Sequence, residues 1–148
     1  MRVQRTPDWS PSVTACVAVH NGAGQIQTKL SSLLSQDYPA DRIEVLVYAD
    51  GCTDRTVELV EDVARRDPRV KLLVGAQRAG KPTALNRMRV EASGEVLVMT
   101  DVRQPLLPAT FRALVGALGA ENVGCVSGNH ILEGATGRPV PAPTAIAR

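Results

Sequence analysis

Short apolar runs alternate with segments of helical periodicity along most of this chain. Val13–Val19, Ile43–Tyr48, Val70–Val74, Val96–Thr100 and Val123–Val126 read as five strands, because each is a near-continuous run of β-branched and aliphatic residues bounded by polar or glycine positions. Between them, Ile26, Leu30, Leu33 and Leu34 recur at helical spacing, as do Val57, Val60, Val63 and Ala64 behind Thr53, a suitable N-cap. A third helix is expected from Pro82, a favourable first-turn residue, toward Ala92, and a fourth over Pro108–Leu118. Strand and helix in regular alternation predict an α/β fold: a Rossmann-like, mostly parallel sheet of about five strands flanked by helices.

Breakers set the expected organisation. Met1 to Pro11 is a polar N-terminal extension, 12–133 holds the α/β domain, and from Gly134 to Arg148 the chain turns to Gly, Pro, Ala and Thr without periodicity, the composition of a flexible tail. Aromatic residues are only 3%, so the core must be aliphatic, which suits parallel strands covered on both faces.

Charge and cysteine content narrow the partners. Seventeen basic residues against 15 acidic are interspersed without a basic run, which argues against nucleic acid. Cys16, Cys52 and Cys125 are odd in number and far apart, as expected of reduced, mostly buried thiols in the cytoplasm. No window has the length of a membrane span and Met1 to Pro11 has no signal-peptide core; peripheral membrane attachment would need a further C-terminal portion or a partner.

In an open parallel sheet, ligands bind beyond the carboxyl ends of the strands. The residues there are polar: His20 and Asn21 after the first strand, Asp50 after the second, Arg78 to Lys81 after the third, and Asp101 with Arg103 after the fourth. Lys81 follows Gly80 at a helix start, where a cation, close backbone approach and free amides could meet a diphosphate, assisted by Arg78. Each of these residues also has a plainer reading. Asp50 and Asp54 could bracket a turn and cap a helix, His20 and Asn21 could satisfy backbone groups, and Arg78 and Lys81 could form a solvated loop.

Val19-His20-Asn21, Ser35-Gln36-Asp37-Tyr38-Pro39, Asp50-Gly51-Cys52-Thr53-Asp54, Gly80-Lys81, Ala84-Leu85-Asn86 and Thr100-Asp101 occur in one order over about Ser12 to Gly128. In that order the chain resembles family 2 glycosyltransferases. The resemblance implies the nucleotide-sugar-binding half of a glycosyltransferase A fold and a UDP-sugar donor, transferred with inversion at the anomeric carbon. It places Asp50 at the base, His20 and Asn21 near base and ribose, and Asp101 as first carboxylate of a D-x-D signature that brings Mg²⁺ or Mn²⁺ to the diphosphate. Arg103 stands where the second carboxylate belongs. A guanidinium cannot ligate a cation but can pair with phosphate oxygens, so metal dependence is in doubt and Arg103 is a candidate replacement for part of the metal's charge.

Two other readings stay open. Gly75 to Lys81 spells G-x-x-x-x-G-K, a phosphate-binding loop, but Pro82 supplies neither the hydroxyl nor the amide required next. The chain could also be a non-catalytic nucleotide-binding module, or one that oligomerises through an exposed sheet edge. Glu133 is the one carboxylate side chain after Gly128 and does not resemble the family's catalytic-base motif, so no catalytic residue is assigned and the acceptor half is expected to be missing.

Overall fold

The computed structural model describes residues 9–128, 132–133 and 139–140. Four strands, β1 (Val13–Val19), β2 (Ile43–Asp50), β3 (Val70–Gly75) and β4 (Val96–Asp101), form one parallel sheet in the order β3-β2-β1-β4. Helices α1 (Ile26–Leu34), α2 (Thr56–Arg66) and α3 (Lys81–Glu91) make the crossovers, and α4 (Thr110–Leu118) follows β4. Strand order reverses between β1 and β4, the kind of switch point at which open α/β sheets bind ligands.

The central strands read as continuous apolar runs because both faces are covered. Val13, Ala15, Val17 and Val19 of β1 point into a core closed by Ile26, Leu30 and Leu33 of α1, Val60 of α2, and Phe111 and Val115 of α4. Cys16 points the other way, with Leu46 and Tyr48 of β2, into a smaller core under Ala84 and Met88 of α3. Burial, with Glu44 nearby, pushes the Cys16 thiol up to about 11, so it is an inert packing residue.

At the amino ends of the strands the buried Glu44 carboxylate accepts hydrogen bonds from Thr14 Oγ1 at 2.5 Å, Lys71 Nζ at 2.6 Å and the Ser93 amide at 2.9 Å. Burial raises this carboxyl, but those donors outweigh it and bring it down to about 2.

Several expectations need correction. The sheet has four strands, not five: Val123–Val126 forms no strand, because Gly124 interrupts the run with open space where a side chain would pack, and Cys125 beside it is exposed rather than buried. A short antiparallel pair, β5 (Leu132–Glu133) with β6 (Pro139–Val140), lies further on. The rest of the expected 134–148 tail, and Met1–Asp8 of the expected extension, lie outside the described residues. Within that extension, Pro11 accepts a hydrogen bond from Tyr38 Oη at 2.6 Å and the Ser10 carbonyl one from Arg42, so both residues belong to the fold. Finally, α2 begins at Thr56 instead of just after Thr53: Arg55 is at the N-cap position without a side-chain cap bond, and Asp54 just before it accepts from the first helical amide, Thr56, at 3.0 Å.

Candidate functional site

Parallel register brings the ends of the strands to one level: Val19 lies beside Ala49, Asp50 beside Gly75 and Asp101 beside Ala18. The polar residues that follow are therefore neighbours around one end of the sheet. Asp50 is 5% exposed, and its two carboxylate oxygens accept the amides of Ala79 at 2.8 Å and Gly80 at 2.9 Å. Charge-assisted bonds of this kind are among the stronger polar contacts in a fold. They fix the loop that delivers Lys81. Gly51 permits the arrangement: its φ is +61°, and a side chain there would run into the backbone of Gln77 and Arg78.

His20 and Asn21 staple the tip of β1 to the same region. His20 Nδ1 lies 2.7 Å from the Asp50 carbonyl, which can only accept, so Nδ1 carries the proton and Nε2 faces away from this bond. Asn21 takes a left-handed backbone at φ 50°, and its Oδ1 accepts the amides of Thr53 at 2.8 Å and Asp54 at 3.3 Å. The Asp54 carboxylate is engaged by Thr56 at the start of α2 and by the Ala23 amide at 3.0 Å, so it ties the loop after β1 to that helix.

At the end of β4, Asp101 Oδ1 accepts from Arg103 Nε and from the Arg103 amide, each at 3.0 Å, while Lys81 Nζ stands 3.8 Å from Oδ2. The Arg103 hydrogen bond is the main reason the Asp101 carboxyl titrates below the usual range, with the Lys81 charge adding to it. The pairs themselves are largely solvated, with Lys81 57% and Arg103 77% exposed at the side chain, so both cations can leave Asp101 for another anion. Arg78 is exposed and makes no side-chain hydrogen bond among the described residues.

Asp50, Lys81, Asp101 and Arg103 thus form one connected set, with His20 and Asn21 tied to its Asp50 side. A depression of about 370 Å³ between α1 and α2 and another of about 270 Å³ at the amino end of the sheet are lined by none of these residues. The Ala79 and Gly80 amides, expected to be free for phosphate, are spent on Asp50, which also weighs against a phosphate-binding loop over Gly75–Lys81. The donor set does not fit a protein-built metal centre. Asp101 is already paired with two cations, and no group of three or more His, Cys, Asp or Glu suited to a metal occurs among the described residues.

Lys29 escaped the sequence reading. It falls within the apolar stripe of α1, between Ile26 and Leu30, and that position was the available signal. Its side chain is fully buried, and its ammonium donates to Thr100 Oγ1 at 2.6 Å and to the Gln104 carbonyl at 2.5 Å. Burial brings it down to about 8, against the opposing pull of Asp101.

An open parallel sheet flanked by helices, with charged residues gathered at its carboxyl end, defines a Rossmann-like α/β domain. The profile of Glycosyl transferase family 2 matches residues 14–144, and the chain belongs to that family. It is 28% identical over 122 residues to the probable glycosyltransferase YdaM of Bacillus subtilis, covering 80% of this chain and 29% of that protein. It is 33% identical over 94 residues to a beta-monoglucosyldiacylglycerol synthase of Synechocystis, covering 62% of this chain and 19% of that one. Among solved structures, the mannosyltransferase PcManGT of Pyrobaculum calidifontis, in complex with GDP-Man and Mn²⁺, superposes with a TM-score of 0.77 at 36% identity, over 82% of this chain and 36% of that chain. TarS 1-349 of S. aureus in complex with UDP superposes with a TM-score of 0.66 at 26% identity, over 72% and 32%. The chain thus spans 29% of YdaM and 19% of the Synechocystis synthase, and about a third of each of the two solved structures. No helix among the described residues is long and apolar enough to cross a membrane.

Proposed function

We propose that this domain binds the nucleoside diphosphate of a sugar donor across the tips of β1, β2 and β4, for glycosyl transfer with inversion at the anomeric carbon. The observation that carries the reading is the connection from Asp50, through the Ala79–Gly80 backbone, to Lys81, Asp101 and Arg103. The base and ribose would lie over His20, Asn21 and Asp50. Each Asp50 oxygen keeps a second lone pair, so the carboxylate can accept a base N–H while it holds the loop. Lys81 and Arg103, with Arg78 at the rim, would take the diphosphate. Their positive charge neutralises the leaving group where D-x-D would have used a second carboxylate and a metal.

PcManGT is in complex with Mn²⁺ as well as GDP-Man; here Asp101 alone, once released from Lys81 and Arg103, could meet a Mg²⁺ or Mn²⁺ carried in on the diphosphate, and such an ion would add to the same neutralisation. The carboxylates at the strand tips are engaged: Asp50 by backbone amides, Asp54 by the Ala23 amide, Asp101 by Arg103. Donor binding is therefore the proposed role, and the base for an acceptor hydroxyl is not drawn from them.

Calorimetric titration tests this. UDP is the nucleotide the family resemblance implies, and GDP, bound with its sugar by PcManGT, is the competitor. Micromolar binding of either, weakened by at least about tenfold in Lys81→Ala, is expected. A folded protein that binds neither, or that sediments as an obligate oligomer indifferent to both, would instead be an interaction module joined through the β3 or β4 edge, and the donor-binding reading would fail.

A further inference from the structure

Lys29 is a fully buried cation whose two hydrogen-bond acceptors are both neutral, and no carboxylate pairs with it among the described residues. A methionine of similar length would fill the same slot without desolvating a charge, so packing alone does not account for a lysine here. The ammonium holds the two flanks of one turn. Thr100 precedes Asp101, Gln104 follows Arg103, and the Gln104 amide closes the turn onto the Asp101 carbonyl at 3.2 Å. Asp101 is near enough for its charge to favour the ammonium, so three cations, Lys29, Lys81 and Arg103, share one carboxylate. Arg103 and Lys81, largely solvated at the side chain, are the two of these cations that an incoming anion could reach.

We propose that Lys29 is a positioning residue of a diphosphate subsite, fastening the 101–104 turn so that Arg103 and Lys81 are presented together to the phosphates. This deepens the donor-binding reading and rests on it. Lys29 touches no ligand in this scheme. It acts through the placement of Arg103, and from beneath the turn it contributes a fixed charge that solvent screens poorly.

Titrations of UDP, GDP, inorganic pyrophosphate, and uridine or guanosine into wild type, Lys29→Met and Thr100→Val test the assignment, with thermal melts to establish folding. Lys29→Met is expected to weaken the diphosphates and pyrophosphate by about tenfold or more while nucleoside affinity changes by less than about twofold, with trypsin cleaving faster after Arg103. Thr100→Val removes one of the two bonds and keeps the cation, so a smaller loss of about threefold is expected even if Lys29→Met does not fold. Equal losses for nucleoside and diphosphate, or unchanged pyrophosphate affinity in the variants that fold, would overturn the positioning role and leave donor binding standing. A wild type that binds no nucleotide would remove the donor-binding reading and this assignment with it.

Discussion

Asp50→Asn separates the two tasks assigned to that carboxylate. In the native site each oxygen accepts one amide, from Ala79 at 2.8 Å and from Gly80 at 2.9 Å, in a nearly solvent-free position. Asparagine keeps one acceptor and turns an NH₂ toward the other amide, so one bond is lost with two donors left facing each other, and the remaining bond loses its charge assistance. A hydrogen bond to a charged group contributes roughly 1.5–3 kcal/mol, so a loss of about 2–3 kcal/mol is expected. For a domain of this size that corresponds to a fall of about 4–12 °C in Tm. Urea and thermal unfolding measure the stability term, and UDP or GDP titration below the new Tm measures the ligand term. Nucleotide affinity should fall by at least about tenfold, because the loop bearing Lys81 loses its anchor. A variant that binds nucleotide poorly yet loses less than about 0.5 kcal/mol of stability would refute this reasoning, since the carboxylate would then serve the ligand without holding the loop.

Glu44 makes an acid-stability prediction. Its carboxyl is held at about 2 against an ordinary 4.5, so its contribution is complete above pH 4.5 and lost as pH falls through 2. That interval corresponds to at most about 3 kcal/mol. Glu44→Gln should therefore be less stable than wild type at neutral pH, with the gap closing toward pH 2 in urea midpoints measured at stepped pH; a constant gap would be inconsistent with the proposed linkage. At the other end of the sheet, Arg103→Asp restores two carboxylates two residues apart. It should bind UDP or GDP about tenfold more weakly without metal and regain affinity with Mn²⁺ more steeply than wild type. Equal Mn²⁺ responses in the two proteins would count against Arg103 as a substitute for the metal.

The parts of the fold legible in the sequence are those where one residue type answers one physical demand. Val13–Val19 and Ile43–Tyr48 read as strands because they are buried on both faces, and an uninterrupted aliphatic run there fits nothing else. Val123–Val126 looks similar in composition, but pairing depends on a neighbouring strand and on side chains at every position, and Gly124 denies the second. The polar residues at the strand ends were equally visible, since strand ends are where a parallel sheet leaves polar groups.

Which way those side chains turn was not visible. The Asp50 carboxylate meets Ala79 and Gly80 only because β3 pairs with β2 in one register, a relation across about thirty residues that local spacing cannot encode. Lys29 was overlooked for the opposite reason: a lysine on a helix is ordinarily solvated. The Gln36 to Tyr38 segment resembled the family by pattern, yet its visible work is mechanical. Gln36 bridges α1 to the Leu107 carbonyl and the Phe111 amide, and Tyr38 holds Pro11.

The hydrogen bonds gathered by Glu44 reach Thr14 on β1, Lys71 on β3 and Ser93 just ahead of β4, so a single side chain lashes the whole sheet together at its root. Slippage of any strand by one position would tear that knot. The alignment of the four strands is therefore fixed at the end of the sheet away from the polar tips, by contacts that involve none of the tip residues.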